Sequence, residues 1–189
     1  MVHRLTYLGL VLYLSLTGPA FADDIFDAIN DAQKAYKAGD LSSAKQALDL
    51  ASQLISQKNA EGLIKAFPAP LKGWKSEDAD TRTGSFTAFT GSNVAKSYTN
   101  TNDDNVTINI SADGPVLTQM ISVLANPQIA GMMGKIVRIG DQRAIQERNG
   151  DITMLVANRF VIKIDGSAKA DDKLAYAKAI NFSFLQSFK

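Results

Sequence analysis

A chain of 189 residues, 46% hydrophobic and 21% charged, has room for one domain with a core plus an appendage, and for no second large domain. It contains no cysteine and a single histidine, His3, which excludes disulfides, thiolate nucleophiles and Cys/His zinc sites. Its 20 Lys and Arg against 19 Asp and Glu leave none of the excess positive charge that nucleic-acid binding draws on, so no nucleic-acid partner is expected.

The first 22 residues read as a signal peptide. Met1 to Arg4 is a short positive start, Leu5 to Leu16 is apolar, and Ala20-Phe21-Ala22 is a small-x-small cleavage pattern. Cleavage after Ala22 predicts a mature chain from Asp23 that works in the periplasm with no stable membrane anchor, because a spanning helix needs about 20 apolar residues. His3 and Arg4 leave with the leader, so the mature chain has no histidine and is formally neutral.

From Asp24 the apolar positions Ile25, Ala28, Ala32 and Ala35 recur at helical steps, with Asp23 or Asp24 as the predicted N-cap. Gly39 ends this helix, Asp40 is placed to cap the next, and Leu41, Ala44, Leu48, Ala51 and Ile55 again step by three and four. The facing positions of this hairpin are mostly alanine, which permits close approach but buries little area, so the hairpin must dock on something. Residues Tyr36 to Leu48 (YKAGDLSSAKQAL) resemble the turn of a tetratricopeptide helical pair. One repeat lacks the concave groove of an array, so the resemblance implies only contact with a protein partner.

Asn59 to Phe67 either extends the second helix or forms a short third one, and Pro68-Ala69-Pro70 then forces extended backbone. These signals divide the chain into a signal peptide (1–22), a helical hairpin (23–67), a Pro-rich linker (68–73) and an α+β domain (74–189). The sole tryptophan, Trp74, follows the linker as a plug for the core edge or a stacking platform for a ligand.

Thr81 to Ser92 is small, polar and Gly-spaced and reads as a loop. Strands are predicted over Asn93–Thr99 and Asn105–Ser111, the second alternating Val106, Ile108 and Ile110 against Thr107 and Asn109, with a turn at Thr101 to Asp104. Asp113 and Pro115 open an apolar helix carrying Val116, Met120 and Leu124, broken at Pro127, with one further turn over Gln128 to Gly134. Four strands follow, Lys135–Ile139, Gln142–Glu147, Ile152–Ala157 and Phe160–Asp165, with hairpin turns at Gly140-Asp141 and Asn149-Gly150. Asp171 to Ile180 is a last helix, and Phe182, Phe184 and Leu185 anchor the C-terminus. Short connections imply an α+β sandwich: a hairpin, then an antiparallel sheet of about six strands packed with two helices, with a further strand possible at Trp74 to Asp78.

The run Trp74 to Phe184, with Gly140-Asp141-Gln142-Arg143-Ala144 and Asn158-Arg159-Phe160 before Val161, resembles uncharacterised exported proteins of Gram-negative bacteria and, in topology, the PsbP-like sandwich. That resemblance supplies no catalytic motif and implies an accessory or binding module; no cofactor is expected.

Ser42 to Lys45 has the S-x-x-K spacing of penicillin-recognising enzymes without their other motifs, and reads as surface helix. Met120, Met132 and Met133 suit Cu(I) in softness, but nothing completes a site; with Ile129 they read as core or as an apolar lip for a lipid or partner. Asn102 to Asn105 lacks the spacing of a calcium loop, and Glu77, Asp78 and Asp80 are surface carboxylates unless a cleft pairs them. Arg143, Arg148 and Arg159 either converge to grip an anion or pair with acids such as Glu147. The expected interaction surface therefore comprises Tyr36, Trp74, the Met120, Ile129, Met132 and Met133 group, Arg143 and Arg159. The leading expectation is a non-catalytic protein-binding module; its rivals are a carrier of a small apolar ligand or lipid, held between the sheet and the Val116–Leu124 helix, and a hydrolase using carboxylates alone.

Overall fold

The structure, a computed structural model, describes residues 21–81 and 91–189. Most of the loop expected at Thr81 to Ser92 lies outside the described residues. Helix α1 (Phe21–Lys37) turns at Gly39, whose φ of +79° is open to glycine at no cost, into α2 (Leu41–Leu63). Asp40 caps α2 as its sequence position suggests, accepting from the Ser43 amide at 3.0 Å and from the Ser43 hydroxyl at 2.7 Å. Those two donors hold the Asp40 carboxyl below its ordinary value. α1 already begins at Phe21, so Asp23 and Asp24 lie inside its first turn and do not cap it.

A single 3-10 turn (Ile64–Ala66) extends α2, and the chain enters a seven-stranded, wholly antiparallel sheet. The strands are β1 (Trp74–Ser76), β2 (Ser92–Asn100), β3 (Asn105–Ala112), β4 (Lys135–Ile139), β5 (Gln142–Gln146), β6 (Ile152–Val156) and β7 (Phe160–Asp165), in spatial order β1-β2-β3-β7-β6-β5-β4. The count exceeds the expected six because Trp74 to Ser76 does pair, opposite Asn100 to Tyr98 of β2.

Period-two alternation sorts the side chains to two faces. One face carries Val94, Tyr98, Val106, Ile108, Ile110, Ile152, Met154, Ile162 and Ile164, all fully buried. It packs against Ala60 and Leu63 of α2, against Tyr176 and Ala177 of α5 (Ala170–Ala179), and against Leu185 of α6 (Phe182–Ser187). Gly62 lets this layer close: a Cβ there would stand 2.9 Å from the ring of Phe188. The C-terminal anchor is a helix in its own right, started by Asn181, whose side chain accepts from the Phe184 amide.

The second face receives α3 (Pro115–Ala125) and α4 (Pro127–Met133), which approach β3, β6 and β7, and β4 and β5, respectively. Ile145 and Val161 are buried on this side. α3 starts on Gly114 with Pro115 in its first turn and has no side-chain cap. Asp113 therefore does not open the helix as expected; it is engaged elsewhere, by Arg159.

Candidate interaction surfaces

The hairpin seam is made of alanine. Ala28, Ala32, Ala44 and Ala51 are buried between the helices, while the larger side chains of the same helical stretches are pushed to the rim. Leu41, Leu48 and Ile55, spaced by seven along α2, are 67%, 55% and 44% exposed, and Ile29 of α1 is 45% exposed. Ile29, Leu48, Ala51 and Ile55, with Ser52, Ser56 and Asn59, line an open groove of about 590 Å³ that ends against Gly91, Ser92 and Asp113 of the sheet. Tyr36 stands exposed on the same hairpin, near its turn. The S-x-x-K residues are surface helix: Ser43 is taken by the Asp40 cap and Lys45 pairs with Asp49.

Trp74 is half-buried at the sheet edge, its ring edge-on to Tyr176 at 5.2 Å and 81°. Its remaining surface lines a cleft of about 550 Å³ with Gly73, Lys75, Thr99, Asn100, Thr101 and Asp103. It is thus part core plug and part cleft wall. The turn below it is held by Asn100, whose side chain accepts from the Asn102 and Asp104 amides. Glu77 and Asp78 are exposed, and the backbone of Asp80 bridges to Ala95.

The arginines do not form one anion grip. Arg159 donates to both oxygens of Asp113 at 2.9 to 3.2 Å and to the Phe188 carbonyl at 3.0 Å, and its guanidinium lies over the rings of Phe160 and Phe188. The Asp113 carboxylate raises the Arg159 pKa further above its ordinary value. Arg159 is therefore a tie between β7, the end of β3 and the C-terminus. Arg143, by contrast, is exposed on β5 directly opposite Arg138 of β4, and no acid pairs with either among the described residues.

The methionine group divides. Met120 is half-buried in α3, whereas Ile129, Met132 and Met133 of α4 are 44%, 87% and 41% exposed. Among the described residues no three His, Cys, Asp or Glu side chains gather as a metal set, and no helix is long and apolar enough to cross a membrane. Sequence reasoning missed Arg138, whose pairing with Arg143 follows from the Gly140-Asp141 turn register, and the outward stripe of α2. No family model matches the chain, and comparison with curated proteins and with solved structures gives no match.

Proposed function

We propose that the mature chain is an exported, periplasmic, non-catalytic binding module that accepts an amphipathic helix of a partner protein on the open side of its α1–α2 hairpin. The observation that carries this reading is the exposed stripe Leu41, Leu48 and Ile55 flanking a buried alanine seam. A seven-residue apolar repeat is the spacing with which one helix presents knobs to another. Two helices held side by side by alanines leave a shallow trough lined by Leu48, Ile55 and Ile29, and Leu41 continues the exposed stripe toward the hairpin turn. A third helix laid there would bury them and would find Ser52, Ser56 and Asn59 as polar contacts at one margin. Anchoring of the lower half of α2 in the sheet core, through Ala60 and Leu63, gives the trough a rigid base. The resemblance of the Tyr36 to Leu48 turn to a tetratricopeptide pair points the same way.

The test is a crosslinking capture with the full mature chain and its Leu48→Asp/Ile55→Asp variant. Recovery of one defined protein by the first and its loss with the second supports the reading, provided the captured peptide lies on an amphipathic helix. Equal recovery by both sinks it.

A further inference from the structure

We propose a second surface, independent of the hairpin, at which the α3–α4 edge docks onto a bilayer bearing anionic headgroups. Residues 114–134 contain no charged side chain at all. Such a stretch, folded as two helices over a sheet, should bury its large apolar groups, yet Ile121 (41%), Ile129, Met132 and Met133 stay exposed, and Ile136 of the adjoining edge strand is 38% exposed. Met132, at 87%, is the most exposed of them, and an unbranched thioether adapts readily to a disordered apolar phase.

Cations edge this apolar surface. Lys135 and Arg148 border the same depression as Met132 and Met133, with Glu147 among them. Arg138 and Arg143 alternate onto the same face of β4 and β5 as Ile136 and Ile145, the second face, which α3 and α4 approach. Residues 135–148 hold four basic side chains against the acids Asp141 and Glu147. Like charges directly opposite on neighbouring strands repel, and Arg138 opposite Arg143 is such a pair, with no acid paired to either among the described residues. A headgroup phosphate between the two guanidiniums would relieve it, while the neighbouring apolar side chains enter the acyl boundary. Both halves of the surface are then used, which a small free anion or a purely apolar ligand does not achieve. A second copy of the chain fits less well, because a two-fold contact would set the Arg138 and Arg143 pairs near their own images. With no spanning helix among the described residues, the contact is interfacial.

The experiment is co-sedimentation of the full mature chain with vesicles of phosphatidylcholine alone and of phosphatidylcholine mixed with phosphatidylglycerol, at low and at physiological salt. Binding to the anionic vesicles only, weakened by salt, is the expected result. Arg138→Gln/Arg143→Gln should lower partitioning about 25-fold, at about fivefold per charge, and Met132→Asp, on an exposed site that leaves the fold intact, about tenfold or more. Leu48→Asp should leave vesicle binding unchanged, which separates this inference from the hairpin reading. Absence of binding to anionic vesicles at low salt, or binding indifferent to all three surface substitutions, overturns the proposal. So does a concentration-dependent dimer in sedimentation velocity that Met132→Asp abolishes.

Discussion

The hydroxyl of Tyr98, fully buried on β2, donates a 2.8 Å hydrogen bond to the carbonyl of Pro68, and so ties the segment after α2 to the sheet next to its β1 edge. Its ring lies 4.4 Å from that of Tyr176, whose own hydroxyl accepts from the Leu71 amide at 3.3 Å. Tyr98→Phe keeps the ring and leaves a buried carbonyl without a partner. The expected cost is about 1 to 2 kcal/mol, read as a lower urea midpoint at unchanged slope.

Burial, with the nearby Tyr176 phenol, pushes the Tyr98 pKa well above its ordinary value, and burial raises Tyr176 as well. A phenol whose folded pKa exceeds its unfolded one contributes full stability below the unfolded value of about 10 and loses it as the pH climbs beyond. Denaturation midpoints should hold steady up to about pH 10 and then fall. The fall should be shallower in Tyr98→Phe, compared with its own neutral-pH stability.

Lys173, 2% exposed in α5, places its ammonium 2.6 Å from Asp151 and 3.2 Å from the Asn149 carbonyl, fastening the β5–β6 turn to the helix. Removing one member of a buried pair strands the other charge, so Asp151→Ala should cost about 3 to 5 kcal/mol. The double variant Lys173→Met/Asp151→Ala should recover part of that loss. A double-mutant cycle in urea measures both.

Arg159→Ala removes the fork to Asp113, the bond to the Phe188 carbonyl and two aromatic contacts. Because both partners are partly exposed, with side chains 30% and 46% accessible, the ion-pair share is discounted for solvent. About 1 to 2 kcal/mol is expected in total. Amide exchange should quicken first in α6, which the bond to Phe188 helps to hold.

The sheet was readable because its signals are local. Alternation of Val106, Ile108 and Ile110, the Gly140-Asp141 and Asn149-Gly150 turns and the Asp40 cap each act within a few residues, and each stands where the pattern puts it. What escaped depends on distant partners. Asp113 and Arg159 are far apart in the chain and adjacent in space, so a residue that looks like a helix opener is a salt-bridge anchor. The α2 spacing puts Leu41, Ala44, Leu48, Ala51 and Ile55 on one face; the structure splits it, because only the alanines allow α1 to come close, and the bulkier residues are left outside. The same limit applied to α4, whose apolar character was visible but whose exposure depends on where the sheet edge ends.

The most direct measurement is photo-crosslinking in the protein's own compartment from a reactive residue placed at position 48, compared with one at position 141 in the β4–β5 turn. Helix docking on the hairpin predicts one protein captured from position 48, through a segment of amphipathic helical pattern, and not from position 141. Capture from position 141 alone, or no defined adduct from position 48 in a chain shown to be folded, contradicts it.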